Sequence, residues 1–333
     1  MSSSTVSQKE LADTLSIAEK LDVVLAYTSI LGNTLFGLLT GIWRTRNAKR
    51  GSYKRYVLLT AMRTMCRRMS PRQILYVTPN TDHAYETVCK QRGIEPLSET
   101  LEDGTQAHWV GKKGAKKIIL NFHGGGFALP ATPEAVEYMF RLVDGAEKEG
   151  KSLAVLFLSY GANLVLALLS HIMHGHPNES VPRVRLSEPL NGAVLLAPWV
   201  TFATGSKSYD ANKYKDLIDP VSVKVWSSDY QASVPSDNYL EPLYASSSWW
   251  SRLSTAVSSI LIVAGADEAF VDDVRAFADI LQKVGTETGG VEVELFVVEN
   301  EYHDQPNFGF GEDCLEKKGS QGWEIGNWVW GRC

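Results

Sequence analysis

Four consecutive residues, His123-Gly124-Gly125-Gly126, carry the strongest chemical signal in the chain. They follow the apolar run Ile118-Ile119-Leu120-Asn121-Phe122, which reads as a short buried strand. Ligands bind at the carboxyl ends of strands in open α/β sheets. Glycines let backbone N–H groups approach an anion closely. Two such donors aimed at a developing oxyanion stabilise the transition state of acyl transfer. A second cluster, His171, His174 and His176, has spacings that could suit a metal. It falls at the end of an apolar helix, where imidazolium groups favour the C-terminal dipole. Glu179 aside, no nearby Cys or acid completes a ligand set, so no metal is expected. No P-loop or dinucleotide fingerprint occurs, and Gly309-Phe310-Gly311 lacks a strand–helix context.

The elements that must position these residues begin after residue 90. Residues 105–111, 118–122, 153–158, 192–196, 260–264 and 291–298 read as strands. Residues 133–148, 163–174 and 271–284 read as helices, and 319–333 as a closing helix. This alternation implies an α/β fold with a mostly parallel sheet flanked by helices. Residues 201–259 break the rhythm with Tyr209, Tyr214, Trp226, Tyr230, Tyr239, Tyr244, Trp249 and Trp250. They form an excursion over the site whose rings either line an apolar pocket or pack the connection onto the core.

With its HGGG run placed after a strand, the chain resembles the hormone-sensitive-lipase family of α/β hydrolases, the HGGG carboxylesterases, from about residue 90 to 310. The resemblance implies a Ser-His-Asp hydrolase of small or medium acyl esters, with no cofactor. His123, Gly124, Gly125 and Gly126 would form the oxyanion hole. The family's acid matches Asp267 in Gly265-Ala266-Asp267, and its histidine matches His303 after the last strand. His303 would be the general base and Asp267 its orienting carboxylate. Glu268 and Asp273 are alternatives for the acid. Fungal members often serve small-molecule secondary metabolism.

The family's G-x-S-x-G nucleophile elbow is absent. The helix that should follow it is recognisable from Gly161-Ala162-Asn163, and the preceding stretch ends at Ser159-Tyr160. Tyr160 is joined directly to Gly161, so one strand and one helix are expected to be missing. Two consequences stay open. Ser159 substitutes as nucleophile in a strand–Ser-Tyr-Gly–helix turn, with bulky Phe157 where the first glycine belongs. Otherwise the chain lacks a nucleophile and binds a small apolar ligand without turnover, as the plant gibberellin receptors do within this resemblance.

The 333 residues are 44% hydrophobic and 21% charged, with a net charge of −5. That composition excludes a disordered or low-complexity chain. Cys66, Cys89, Cys314 and Cys333 form no CxxC pair and read as free thiols in a reducing compartment. Residues 1–43 carry −2, residues 44–81 carry +10 and the remainder −13. The basic block would attract anionic surfaces, and it lacks a nucleic-acid motif. Residues 23–43 are uncharged and about long enough to span a bilayer, though impure in hydrophobicity. Residues 53–69 read as a basic amphipathic helix. Residues 1–89 are expected to be a helical cap or a membrane-associating extension, with contact through residues 23–72, and 90–333 the hydrolase domain. No secretory signal peptide is evident, so a cytoplasmic or membrane-associated intracellular location is expected.

Overall fold

The apolar runs fold as strands in two sets. In the first, β1 (Ser98–Thr100), β2 (Gln106–Gly111), β3 (Lys117–Phe122) and β4 (Leu153–Leu158) are ordered β1-β2-β4-β3. β3 and β4 are parallel, with Ile119 opposite Val155, while β2 pairs antiparallel with both β1 and β4. In the second, β5 (Ala193–Leu196), β6 (Ser259–Gly265) and β7 (Glu292–Val298) run parallel in chain order. The computed structural model describes residues 15–48, 53–102, 104–126, 129–158, 163–231, 235–308 and 315–333.

Every position of β6 is buried, so its sequence is a continuous apolar run rather than an alternating one. β3 departs from the expectation of a buried strand. Ile118 and Leu120 are exposed, because β3 sits at the edge of its set and only one of its faces is covered. β3 and β5 nevertheless pack on one core, through Ile119, Val194 and Leu196. Among the described residues, no strand pairs with the outer edge of either.

Helices cover the strands on faces that the sequence spacing sets. α5 (Pro133–Lys148) starts at Thr132, whose hydroxyl accepts from Ala135 N–H, with proline in its first turn. α9 (Val271–Thr288) buries Val274, Phe277, Ala278 and Leu281, a three–four spacing, against β6 and β7. α6 (Asn163–His174) buries Leu166, Leu169 and Met173. The tail closes as α11 (Gln321–Gly331), capped by Ser320. Between them lie α7 (Lys207–Asn212), α8 (Pro220–Gln231) and the short α10 (Gln305–Phe308).

The N-terminal part is helical: α1 (Ile17–Ala48), α2 (Tyr53–Arg68), α3 (Pro71–Val77) and α4 (Thr81–Arg92). α1 and α2 form an antiparallel hairpin. Tyr53 Oη donates to Leu38 O (2.6 Å) at one end, and Arg68 meets Asp22 (3.0 Å) at the other. Much of the basic block is neutralised internally. Arg67 pairs with Asp219, Arg68 with Asp22, Arg72 with Glu19, and Arg55 with Asp267. Arg63 donates to the Asp216 carbonyl (2.8 Å). The charge available to an outside anion is therefore smaller than +10.

Candidate functional site

The carboxyl ends of β3, β5 and β6 and the loop after β7 converge on one cavity, roofed by α2 and α8. It holds about 870 Å³ of empty space, part of it open to solvent. Gly124, Gly125 and Gly126 border it together with Asn163, Trp226, His303 and Asp304. Met62, Met65 and Cys66 of α2 form one wall. The lining is mainly apolar, which suits an acyl or aryl group.

His123 holds the glycine run in place as a neutral ring. Thr81 Oγ1 accepts from Ala131 N–H (3.1 Å) and so turns its own proton to His123 Nε2 (3.2 Å). That leaves Nδ1–H to donate to the Gly124 carbonyl (2.7 Å). Burial pushes the imidazole down to about 4, in keeping with this tautomer. Phe157, which the sequence sets where an elbow glycine would be, lies in β4 and stacks on His123 at 5.5 Å. Gly125 and Gly126 have φ of 139° and 56°. A Cβ on Gly126 would fall 2.5 Å from the Trp226 ring, so only glycine fits there.

His303 follows β7. Its Nδ1 lies 3.6 Å from Glu268 Oε2, an ion-pair distance just beyond a hydrogen bond, as often found in empty catalytic sites. Phe270 meets the imidazole edge-to-face at 5.0 Å. Glu268 is fully buried, and neither of its oxygens has a hydrogen-bond partner among the described residues. Burial pushes its carboxyl up to about 8. Asp267 faces elsewhere, with Lys215 Nζ at 3.0 Å and Arg55 at 4.0 Å. The structure thus brings His303, the glycine run and Glu268 together, and pairs Asp267 with Lys215 and Arg55 instead. Asp273 receives a bond from Ser206 (3.2 Å). Ser159 lies outside the described residues, in the connection between Leu158 and Asn163.

Two acids that sequence reasoning missed tie the site together. Asp216 is fully buried. Its Oδ1 accepts from Leu217 N–H (2.7 Å) and His303 N–H (3.1 Å), and its Oδ2 from Ala269 N–H (2.7 Å). One carboxyl thereby fixes the spacing between the acid turn and the histidine loop. Asp304 is buried beside His303 and accepts from Asn307 Nδ2 (2.7 Å). A Cβ on Gly124 would fall 2.5 Å from Asp304 Oδ2, so the glycine admits the histidine loop. No local spacing could have revealed the bonds from Asp216 to His303 and Ala269 or the approach of Asp304 to Gly124, because each joins segments far apart in sequence.

The cavity's other nucleophilic groups are disabled. Burial pushes the Cys66 thiol up to about 12, which keeps it protonated and inert. Ser222 Oγ donates to Asp219 O (2.9 Å) and accepts from Asp219 N–H (3.1 Å), so it caps α8. Of the excursion's aromatics, Trp226 lines the cavity while Tyr209 and Trp250 pack the core. Trp249 stacks on His174 at 3.9 Å. His171 and His174 bond the carbonyls of Pro182 and Trp249.

The buried acids set a pH dependence of stability. Burial raises Asp216 to about 6, Asp304 to about 7 and Glu268 to about 8. Each folded value lies above the unfolded one, so the unfolded chain releases these protons first as pH rises. Their stabilisation is complete at low pH and is lost through the folded values. His123, depressed to about 4, works oppositely and penalises folding only below about pH 6.5. The melting temperature is expected to fall steadily between about pH 6 and pH 8. Glu268→Gln should flatten the upper part of that fall in thermal melts at constant ionic strength. A melting temperature that rises over this range would contradict the assignment.

Residues 130–306 match the model of a family described by its alpha/beta hydrolase fold. That is more than half of the chain, and the protein belongs to this family of α/β hydrolases. Its solved structural relatives include an esterase from the bacterial hormone-sensitive lipase family (18% identity, TM-score 0.56, 85% of this chain and 99% of that one). Another is a thermostable esterase from Pseudomonas putida (17%, 0.57, 77% and 89%). A third is carboxyl esterase 2 from the mycorrhizal fungus Tuber melanosporum (15%, 0.54, 72% and 85%). These likenesses are of fold. No curated protein matches the chain.

Proposed function

We propose that the protein hydrolyses a carboxylic ester with a small or medium acyl group, of the kind handled in small-molecule secondary metabolism. The carrying observation is the meeting of Gly124–Gly126 and His303 on one apolar cavity, with Glu268 buried behind His303 at 3.6 Å from its Nδ1. In this reading the glycine run is the oxyanion hole, His303 the general base and Glu268 its orienting acid. Ser159 is the nucleophile. It lies four residues before Asn163, which lines the cavity, and Cys66 and Ser222 are unsuited to the role. The His303 ring takes the serine proton as the hydroxyl attacks the acyl carbon, then returns it to the leaving alcohol. Water repeats the sequence on the acyl-enzyme. The helices α1 to α3 act as a cap over the cavity or as a membrane-associating extension, and the protein lies inside the cell.

A fluorophosphonate probe followed by peptide mapping tests this directly. Modification of Ser159, abolished by Ser159→Ala together with turnover of short p-nitrophenyl esters, is the expected result. Full activity in Ser159→Ala would refute the nucleophile. A second reading, capture of a small apolar ligand without turnover, is favoured by the unpaired edges of β3 and β5, the gap where an elbow strand would lie. Its sign would be a folded protein that is silent to the probe yet binds apolar ligands.

A further inference from the structure

α1 is long, apolar and open to its surroundings. Within Ile17–Trp43, mean hydropathy reaches 1.6 across a window of which only 17% is buried. One narrow stripe packs on the protein through Val23, Ala26, Gly37 and Gly41. A Cβ on Gly41 would fall 2.9 Å from the Tyr53 ring, so small residues set a close helix contact. The rest of the surface presents Leu21, Leu25, Leu31, Leu35, Leu39 and Trp43, with Leu39 70% and Trp43 66% exposed. An apolar face this broad marks a contact surface for lipid or another chain.

The polar residues on α1 identify what covers it. Thr28 and Ser29 donate to Leu25 O (2.7 and 2.9 Å), and Asn33 donates to Ser29 O (2.9 Å). Thr34 donates to Ile30 O (2.7 Å) and Thr40 to Phe36 O (2.8 Å). Each of these side chains turns a donor back onto a carbonyl of its own helix, which lowers the cost of placing it against lipid. Beyond Trp43 the sequence holds Arg44, Arg46, Lys49, Arg50 and Lys54 and no acid up to Lys54. An apolar face ending in an aromatic residue and then a basic cluster is complementary to an anionic bilayer.

α2 decides how the helix sits. It lies along α1 from Asp22 to Gly41 and carries Arg63, held to Asp216 of the site. A transverse α1 would drag these charges into hydrocarbon. We infer that α1 beds its open face in the surface of an anionic bilayer, parallel to the membrane plane, with α1 and α2 stacked between lipid and cavity. Met62, Met65 and Cys66 on the far side of α2 already line that cavity. An apolar ester dissolved in the lipid is then separated from the cavity by the thickness of two packed helices, about 20 Å. This route rests on the ester reading above; the bilayer contact does not.

The full chain should float with vesicles of phosphatidylcholine and phosphatidylserine and only weakly with phosphatidylcholine alone. Leu31→Glu/Leu35→Glu/Leu39→Glu alters exposed positions only and should abolish flotation while keeping the melting temperature. Spin labels at Leu25→Cys and Leu39→Cys should report equal shallow depths. Flotation retained by the triple variant, or a depth gradient between the labels, would overturn the inference. So would a full chain that fails to float and pairs as a dimer through α1. Fluorophosphonate labelling without vesicles reads the ester chemistry separately, so failure of either reading is visible alone. If both hold, turnover of a vesicle-dissolved ester should drop in the triple variant while turnover of a water-soluble one does not.

Discussion

Glu268→Gln is expected to lower kcat on a short p-nitrophenyl ester by about ten-thousand-fold, the scale seen when the acid of a catalytic triad is neutralised. Asp267→Asn is expected to stay within about tenfold of the unaltered protein, since its carboxylate pairs with Lys215 and Arg55 rather than with His303. The two residues are neighbours in sequence and opposite in environment. Glu268 is sealed from solvent with its carboxyl 3.6 Å from His303 Nδ1. Its oxygens have no other hydrogen-bond partner among the described residues, so they are available to an imidazolium as it forms. A glutamine there cannot ionise, so no carboxylate forms to meet the imidazolium. Its amide also donates to Nδ1, which moves the ring proton to Nε2 and blocks the nitrogen that must accept from the nucleophile. Asp267 instead spends its charge on Lys215 and Arg55. The reverse ranking of the two variants in steady-state kinetics would return the acid role to Asp267.

That pair shows where sequence reasoning reaches its limit. The strand ending near Gly265 is plain from its continuous apolar run, and residues 133–148, 153–158 and 163–174 fold within the bounds their patterns set. Which of two adjacent carboxyls turns inward is a matter of one peptide's orientation. Here it is set by Asp216 accepting from Ala269 N–H and by Asp267 N–H donating to Glu301 O (2.9 Å). Neither contact leaves a trace in spacing. The glycine run after β3 was legible because its function depends on residue type at consecutive positions. The resemblance, not periodicity, supplied the histidine.

Charge was misleading for a related reason. A count along residues 44–81 finds ten basic side chains and no acid. The acids that oppose them come from α1, from Asp219 at the start of α8 and from Asp267 after β6, while Arg63 is held by the Asp216 backbone carbonyl. Folding thus converts much of a basic tract into internal anchors that fasten the hairpin over the cavity. The hydropathy of α1, by contrast, was visible in sequence, because an exposed apolar face is a property of one helix alone.

Gly265→Ala should be the most damaging single-methyl change in the protein. Gly265 ends β6, and a Cβ there would lie 2.2 Å from Glu301 O and 2.5 Å from Glu301 C. Both are backbone atoms, so no side-chain rotation relieves the clash. Glu301 O also accepts from Asp267 N–H, and Ala266 N–H donates to Val298 O (2.8 Å). Making room for the methyl means parting the turn that carries Glu268 from the loop that carries His303. Overpacking of this kind costs about 1–3 kcal/mol. A displacement of about 1 Å between catalytic groups costs on the order of a hundredfold in rate. Gly32→Ala is the matched control. Nothing lies within 4 Å of its added methyl, and alanine in a helix interior is favoured over glycine by about 1 kcal/mol. Thermal melts and p-nitrophenyl ester kinetics should therefore move in one direction for Gly265→Ala, and stay level or improve for Gly32→Ala. An unchanged melting temperature in Gly265→Ala would mean that the β6 turn and the histidine loop are not in contact, and the pairing of Glu268 with His303 would fall with it.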